Sequence, residues 1–143
     1  MCHHILGKID EIALTADDVV AQTASQAFDI SVWQLFAPLL VGGRVVMVED
    51  AALHAPDQLC RRLGDVTVAE LVPSFLLVLL DTLESLPEEQ RLPHLRLMNL
   101  AGEASPFHLA ARWFAALPRA ALLNVYAPTE CAEAFRRRPR GPA

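Results

Sequence analysis

Short apolar runs rich in β-branched residues alternate along the chain with longer segments whose apolar residues recur at helical spacing. Glycine, proline and polar turn residues separate the two kinds of segment. The short runs lack polar alternation, which is typical of parallel strands covered by helices on both faces. On this basis five strands are predicted, over residues 19–23, 44–48, 67–72, 95–100 and 122–126.

Helices are predicted between these strands, and turn chemistry marks their ends. Ser31 is expected to cap a helix over 32–40, which Gly42 and Gly43 end. Three further helices begin at prolines, which suit a first turn because they lack an N–H; they are predicted over 57–63, 74–83 and 107–117. This succession predicts an α/β fold, a mostly parallel sheet covered by helices with right-handed crossovers.

The composition indicates a folded chain with apolar surface to spare. Of the 143 residues, 53% are hydrophobic and 20% charged, which is enough to bury a core. The mean hydropathy of +0.30 is high for a free-standing domain, so part of the apolar surface is expected to pack against further segments. Residues 1–135 are therefore predicted to form the core of an internal fragment of a larger domain.

Charge and hydropathy restrict the partners and the location. The formal net charge is −5, although Arg136, Arg137, Arg138 and Arg140 are four of the 12 basic residues. The rest is distinctly acidic, so no nucleic-acid partner is expected. Residues 136–143 are predicted to form a disordered Arg/Pro-rich tail. The apolar stretches are too short to span a bilayer and no secretory signal pattern is present, so we expect a cytoplasmic protein without a membrane partner.

Polar residues that follow the predicted strands are the first candidates for chemistry, because ligands of parallel α/β sheets bind beyond the carboxyl ends of the strands. One such segment is 101–104. The other holds an amide, a ring, a hydroxyl and a carboxylate on Asn124, Tyr126, Thr129 and Glu130. These groups suit a nucleotide site, in which a ring stacks on a base and a carboxylate binds Mg²⁺. The alternative is an ordinary loop in which Thr129 caps a helix.

Three polar side chains within apolar surroundings are the other candidates. Asp29 is flanked by Phe28 and Ile30, so partial burial and a cationic partner such as a ligand ammonium are expected. Capping of the next helix by Asp29 or Ser31 is the structural alternative. Glu70 and Asn99 lie inside apolar strands. Each either lines a polar pocket or, alternatively, reaches solvent or bonds nearby backbone.

Two segments resemble the core motifs of amino-acid adenylation domains of nonribosomal peptide synthetases, which belong to the adenylate-forming superfamily. They are Phe-Asp-Ile-Ser-Val-Trp-Gln at 28–34 and Asn-Val-Tyr-Ala-Pro-Thr-Glu at 124–130, with Ala-Gly-Glu-Ala at 101–104 between them. The resemblance covers residues 17–131 and implies a part of the large N-terminal subdomain of such an enzyme. These domains convert ATP and an amino acid into an aminoacyl-AMP and pyrophosphate, then transfer the acyl group to a carrier thiol.

The resemblance implies roles for individual residues. Asp29 would bind the α-ammonium of the amino acid, and Glu130 would bind Mg²⁺. Adenine would stack on Tyr126, and Thr129 would face the α-phosphate. The implied nucleotide-binding residues are Gly102, Glu103, Ala104, Asn124, Tyr126 and Thr129. The substrate side chain would contact Ile30, Trp33, Glu70, Asn99, Ala101 and Val125. Because Glu70 and Asn99 are polar, a polar or cationic side chain is expected to be favoured.

The resemblance also implies cofactors and partners: ATP with Mg²⁺, a carrier domain with its phosphopantetheine, and a condensation domain. Ala127 replaces the glycine of the family motif. The family's phosphate loop and C-terminal lysine find no match, so no catalytic residue is assigned and the isolated chain is expected to be inactive. The alternatives are a truncated, non-catalytic interaction fragment and a segment of an acyl- or aryl-acid CoA ligase. Asp29 argues against the ligase, whose substrates lack an α-amino group.

Overall fold

A computed structural model describes residues 2–126 and 135–137, and their helices and strands alternate along most of the chain. The helices are α1 (Cys2–Ile12), α2 (Ile30–Leu40), α3 (Asp50–Leu53), α4 (Pro56–Arg62), α5 (Pro73–Ser85) and α6 (Phe107–Ala116). The strands are β1 (Val19–Gln22), β2 (Arg44–Met47), β3 (Val68–Leu71), β4 (Leu97–Leu100), β5 (Ala121–Tyr126) and β6 (Phe135–Arg137). All five predicted strands and all four predicted helices are present, with ends shifted by at most two residues.

The strands form one six-stranded sheet in the order β2-β1-β3-β4-β5-β6. The first five are parallel and β6 is antiparallel to β5. The predicted α/β class with a mostly parallel sheet is confirmed. Strand β6 places Arg136 and Arg137, which the sequence assigned to a disordered tail, in a pairing with Val125 and Asn124. The remainder of that tail, 138–143, lies outside the described residues.

Helices cover both faces of the sheet and divide the core into two apolar clusters. One face packs against α1 and α2 and includes Val20, Val68 and Leu123. The other packs against the remaining helices through Ala69, Met98 and similar strand residues. Alternate residues of each strand point to opposite faces, so both faces of each central strand must be apolar. Because both faces are apolar, polar residues do not alternate with apolar ones along these strands in the sequence.

Helix α1 precedes the first predicted element and was not predicted. Its Ile5, Ile9 and Ile12 recur at helical spacing and face the cluster shared with α2. The helix ends at Ala13, whose φ of +48° breaks the helical path. Because α1 packs on α2, it carries Lys8 into the interior, where that side chain is only 6% exposed.

The connection from α2 to β2 depends on two glycines, as predicted. Gly42 adopts a φ of +82°, in the left-handed region that favours glycine. At Gly43 a Cβ atom would lie 2.8 Å from the carbonyl oxygen of Asp18 and 3.2 Å from that of Thr15. The close approach lets Arg44 donate its N–H to the Asp18 carbonyl and begin the pairing of β2 with β1.

An ion pair fastens the amino ends of β1, β3 and β4. Arg96 donates to both carboxylate oxygens of Asp18, at 2.7 and 2.8 Å, and the Thr67 hydroxyl donates at 2.7 Å. Burial raises the pKa of Asp18, but the hydrogen bonds from Arg96, Thr67 and Thr15 outweigh it and lower the pKa to about 2. This network stabilises the sheet at the edge opposite the candidate site.

Within the described residues, no helix is long and apolar enough to cross a bilayer.

Candidate functional site

The parallel strands direct their carboxyl ends to one edge of the sheet, where the predicted site residues collect. The loop 23–29 follows β1, the segment 101–106 follows β4, and β5 ends there at Tyr126. Thr129 and Glu130, for which phosphate and Mg²⁺ contacts were predicted, lie outside the described residues, as does Ala127. The described residues therefore include the candidates from Asp29 to Tyr126.

A buried amide fixes the loop after β1. The Oε1 atom of Gln34 accepts the N–H groups of Thr23 and Ala24, both at 3.0 Å, and its Nε2 donates to the Thr23 hydroxyl at 3.2 Å. That hydroxyl in turn donates to the carbonyl oxygen of Glu70 at 2.6 Å. Sequence reasoning gave Gln34 no role, although an amide in an otherwise apolar helix is a signal of one. The network holds the loop that carries Asp29 against β3.

Asp29 differs from the prediction in its exposure and in its local contacts. Its side chain is exposed, so the expected partial burial is wrong. Asp29 occupies the N-cap position of α2 but has helical dihedral angles and makes no capping hydrogen bond. Ser31 lies inside the helix and donates its hydroxyl to the Phe28 carbonyl at 2.7 Å, so it is not the cap either. The Asp29 carboxylate is therefore presented at the edge of the site rather than used by the helix.

Glu70 is buried on the face of the sheet that α1 and α2 cover, and it does not reach solvent. Its carboxylate lies 3.9 Å from the ammonium of Lys8, and the two side chains are 5% and 6% exposed. The Lys8 ammonium also lies 3.6 Å from Glu11 and 4.9 Å from the centroid of the Trp33 ring. Burial raises the pKa of Glu70, the charge of Lys8 and the polar contact with the Asn99 side chain oppose that rise, and the charges of Glu11 and Asp29 add to it. Glu70 and Asp29 are thus in electrostatic reach of each other.

Asn99 lies beside Glu70, because the two residues are register partners across β3 and β4. Its side chain is fully buried. Neither its amide nitrogen nor its carbonyl oxygen makes a hydrogen bond of normal geometry in the part of the chain that the structure describes, although the amide is close enough to the Glu70 carboxylate to lower the pKa of that group. The backbone bonding that offered a structural explanation of Asn99 is therefore not observed.

The other residues of the predicted substrate pocket are apolar and lie near these groups. Trp33 and Val125 belong to the apolar cluster under α1 and α2, Ala101 is buried, and Ile30 is half-buried. Asn124 pairs with Leu100 and so points to the opposite face of the sheet from Asn99, which pairs with Leu123. The amino-acid candidates and the nucleotide candidate of β5 are thus separated by the sheet, as alternate residues of one strand must be.

The segment after β4 is fastened to the start of α5. Glu103 accepts the N–H of Ser74 at 3.0 Å and the Ser74 hydroxyl at 2.9 Å. The carboxylate thereby caps α5, whose first turn has no acidic residue of its own. Gly102 has a φ of +86°, and a Cβ there would lie 3.3 Å from Val72. Sequence reasoning placed the backbone of 102–104 beside a base and missed this second use of the Glu103 side chain.

The described side chains form no metal cluster. Within residues 2–126 and 135–137 there is no group of three His, Cys, Asp or Glu residues that could hold an ion. The predicted Mg²⁺ ligand, Glu130, lies outside those ranges. The described part thus presents an exposed carboxylate at Asp29, buried polar groups at Glu70 and Asn99, and exposed residues at 102–104.

Comparison with known proteins gives one consistent result. The sequence profile of the family described as AMP-binding enzyme matches residues 1–142. Indigoidine synthase of Dickeya dadantii is 36% identical over 138 residues, which are 90% of this chain and 9% of that protein. The chain thus spans about a tenth of the length of the curated relatives it matches.

Solved structures agree with the sequence matches. The Vibrio cholerae adenylation domain AlmE, in complex with glycyl-adenosine-5'-phosphate, superposes with a TM-score of 0.76 at 30% identity, covering 93% of this chain and 25% of AlmE. AB3403, a four-domain nonribosomal peptide synthetase bound to AMP and glycine, superposes with a TM-score of 0.77 at 28% identity, covering 95% of this chain and 10% of that one.

Proposed function

Because this chain belongs to the family of AMP-binding enzymes, we propose that it forms the amino-acid-binding and adenine-binding part of an adenylation domain in a nonribosomal peptide synthetase. The resemblance seen in the two motifs is confirmed by these matches. The reaction of the complete domain condenses an amino acid with ATP. A substrate carboxylate oxygen attacks the α-phosphorus and pyrophosphate leaves. A thiol then attacks the acyl carbon of the aminoacyl-AMP, which forms a thioester and releases AMP.

The observation that carries the proposal is the exposed carboxylate of Asp29 at the carboxyl edge of the sheet. Asp29 makes no capping hydrogen bond, and the Gln34 network fixes the loop that leads to it. An α-ammonium beside Asp29 would gain a charge-assisted hydrogen bond, for which about 1.5–3 kcal/mol is typical. The substrate carboxylate would then be directed toward the nucleotide side of the site.

The nucleotide would bind at the same edge of the sheet. Asn124 and the exposed backbone of 102–104 would lie beside adenine, and Tyr126 would stack on it. We assign Thr129 to the α-phosphate and Glu130 to Mg²⁺, which neutralises phosphate charge when bound. We assign no catalytic residue to this chain. A carrier domain with its phosphopantetheine and a condensation domain are the proposed partners, and the proposed location is cytoplasmic.

The test is calorimetric titration of the purified chain with AMP and with alanyl sulfamoyl-adenosine, a stable analogue of an aminoacyl-AMP. Both are expected to bind. Asp29→Asn is expected to weaken the analogue by at least about tenfold, the equivalent of one lost charge-assisted hydrogen bond, and to leave AMP unchanged. The matched control is Asp17→Asn, an exposed aspartate in the turn before β1, which is expected to change neither affinity.

The outcomes separate the alternatives. A chain that binds neither compound is an interaction fragment rather than a substrate site. In another outcome AMP binds, and the analogue has the same affinity for wild type and for Asp29→Asn. This result would point to an acyl- or aryl-acid ligase, whose substrates have no α-ammonium for that carboxylate.

A further inference from the structure

Lys8, Glu70 and Asn99 form a buried polar cluster next to Trp33, and this cluster indicates which amino acids the site accepts. We propose that Lys8 is a specificity-determining residue and that the cluster selects an amino acid with an uncharged carboxamide side chain. The inference rests on the proposed function, because it concerns the side chain of the same substrate. It replaces the sequence-based expectation of a polar or cationic side chain with a narrower one.

The first step concerns charge. Lys8, the only lysine of the chain, places its ammonium 3.9 Å from the Glu70 carboxylate in a buried setting. Buried charges must be paired or neutralised. Paired with Lys8 in this way, Glu70 offers no uncompensated negative charge to a ligand. A cationic substrate would instead bring a second positive charge next to Lys8.

The second step concerns the fixed position of Lys8. Its ammonium lies 4.9 Å from the Trp33 ring centroid, a distance at which a cation is attracted by the ring face. It also lies 3.6 Å from Glu11, one turn further along α1 and partly exposed. These contacts hold the ammonium between α1, α2 and β3. The Lys8 ammonium is therefore fixed in position inside the cluster and does not extend into solvent.

The third step concerns Asn99. Both polar atoms of its amide are buried and make no hydrogen bond of normal geometry among the described residues; the one polar contact recorded for the amide is with the neighbouring Glu70 carboxylate. Gln34 is equally buried, yet its amide makes three hydrogen bonds within the chain. The fold can therefore bond a buried carboxamide without a ligand, and it does not do so at Asn99 to the same extent. A ligand carboxamide would satisfy the Asn99 donor and acceptor together. An ammonium would engage only the acceptor, a carboxylate only the donor, and an alkyl group neither.

The proposal is tested by titrating the full chain with sulfamoyl-adenosine analogues that differ only in their aminoacyl group. The set comprises glutaminyl, asparaginyl, glutamyl, lysyl, leucyl and alanyl compounds. The better of the two carboxamide analogues is expected to bind at least about tenfold more tightly than the lysyl and leucyl analogues, because they leave part of the Asn99 amide unpaired. Equal binding of all six overturns the inference and leaves the proposed function intact.

Lys8→Met removes the charge and keeps most of the apolar stem. It leaves the buried Glu70 carboxylate uncompensated, so the affinity ratio of lysyl to glutaminyl analogue is expected to rise at least about tenfold. The matched control is Arg112→Met, which removes a cation paired with Asp81 and Glu84 on the opposite face of the sheet. This control is expected to leave the ratio unchanged. An unchanged ratio in Lys8→Met would show that Lys8 does not determine specificity.

Glu70→Gln provides a second route if Lys8→Met does not fold. In this variant the Lys8 charge loses one carboxylate, so the glutamyl analogue is expected to gain affinity relative to the glutaminyl analogue. A glutamyl to glutaminyl ratio equal to that of the wild type overturns the role of Lys8. Failure of AMP and of the alanyl analogue to bind refutes the proposed function itself, and the substrate class with it.

Discussion

Replacing the buried amide of Asn99 by a group of similar shape without polar atoms should stabilise the chain. Leucine is the apolar counterpart of asparagine in size, so Asn99→Leu removes a buried donor and acceptor that make no hydrogen bond of normal geometry in the described residues. Most substitutions in a core destabilise. A gain at a fully buried position would therefore be a specific sign that the amide is held for a ligand.

The magnitude follows from the contacts. Leaving a buried amide unpaired costs about 1–3 kcal/mol, and an imperfect fit of the leucine branches returns up to about 1.5 kcal/mol. The expected net effect is a gain of about 1 kcal/mol in the free energy of unfolding. Gln34→Met is the matched control, because it removes an equally buried amide that makes three hydrogen bonds. It leaves the N–H groups of Thr23 and Ala24 without their acceptor, for an expected loss of about 2–4 kcal/mol.

Urea unfolding followed by far-ultraviolet circular dichroism measures both variants without relying on Trp33, which neighbours Gln34. With a slope of about 2 kcal/mol per molar urea, the two midpoints should differ by about 1.5 M or more. Asn99→Leu is expected to lie above wild type and Gln34→Met below it. A loss of about 1 kcal/mol or more in Asn99→Leu would mean that the amide is bonded within the protein, for example to Glu70. The reasoning about a ligand carboxamide would then be refuted.

Three further outcomes follow from the fold. Because the pKa of Asp18 is lowered from 3.8 to about 2, Asp18 stabilises the chain above about pH 4, and this contribution of about 2 kcal/mol disappears as the pH falls from there through 2. Asp18→Asn should lower the urea midpoint at neutral pH and flatten its decline in acid; an unchanged decline would exclude the ion pair as its source. Gly7→Ala, where an added Cβ meets nothing within 4 Å, should raise the free energy of unfolding by about 0.5–1 kcal/mol, whereas Gly43→Ala should lower it by more than that, since its Cβ would meet backbone oxygens. The reverse order in thermal melts would contradict the geometry. Glu103→Gln weakens the cap of α5 and should cost about 1 kcal/mol in urea unfolding, with AMP affinity as a second readout; equal values for wild type and variant would show that the cap is dispensable.

Local patterns sufficed for the strands and for most of the helices. The runs that became β1, β3 and β4 were recognisable because a strand covered on both faces must be apolar throughout. The helix at Pro73 was recognisable because proline suits a first turn. These features depend on a few neighbouring residues, so the sequence displays them directly.

The site was predictable only in part, since its contacts join distant segments. Motif resemblance brought Asp29, Glu70 and Asn99 to one site, but the exposure of Asp29 depends on how its loop is fastened by Gln34. The pairing of Glu70 with Lys8 required helix α1, which no pattern had indicated. A capping role for Ser31 was wrong because the helix begins at Ile30, two residues before its predicted start, so that Ser31 lies inside it. Such outcomes are decided by packing, which a local pattern does not encode.

The position of Lys8 on α1 restricts where related chains can be joined to each other without loss of stability. In a hybrid whose two parental segments join between Ile12 and Val19, helix α2 and strand β3 come from one parent and Lys8 comes from the other. If the second parent has an apolar residue at position 8, the hybrid inherits a buried carboxylate without its counter-charge, a defect for which about 3–5 kcal/mol is typical. Exchanges that keep α1 together with the strands it covers transfer Lys8 and Glu70 together, so the two buried charges remain paired.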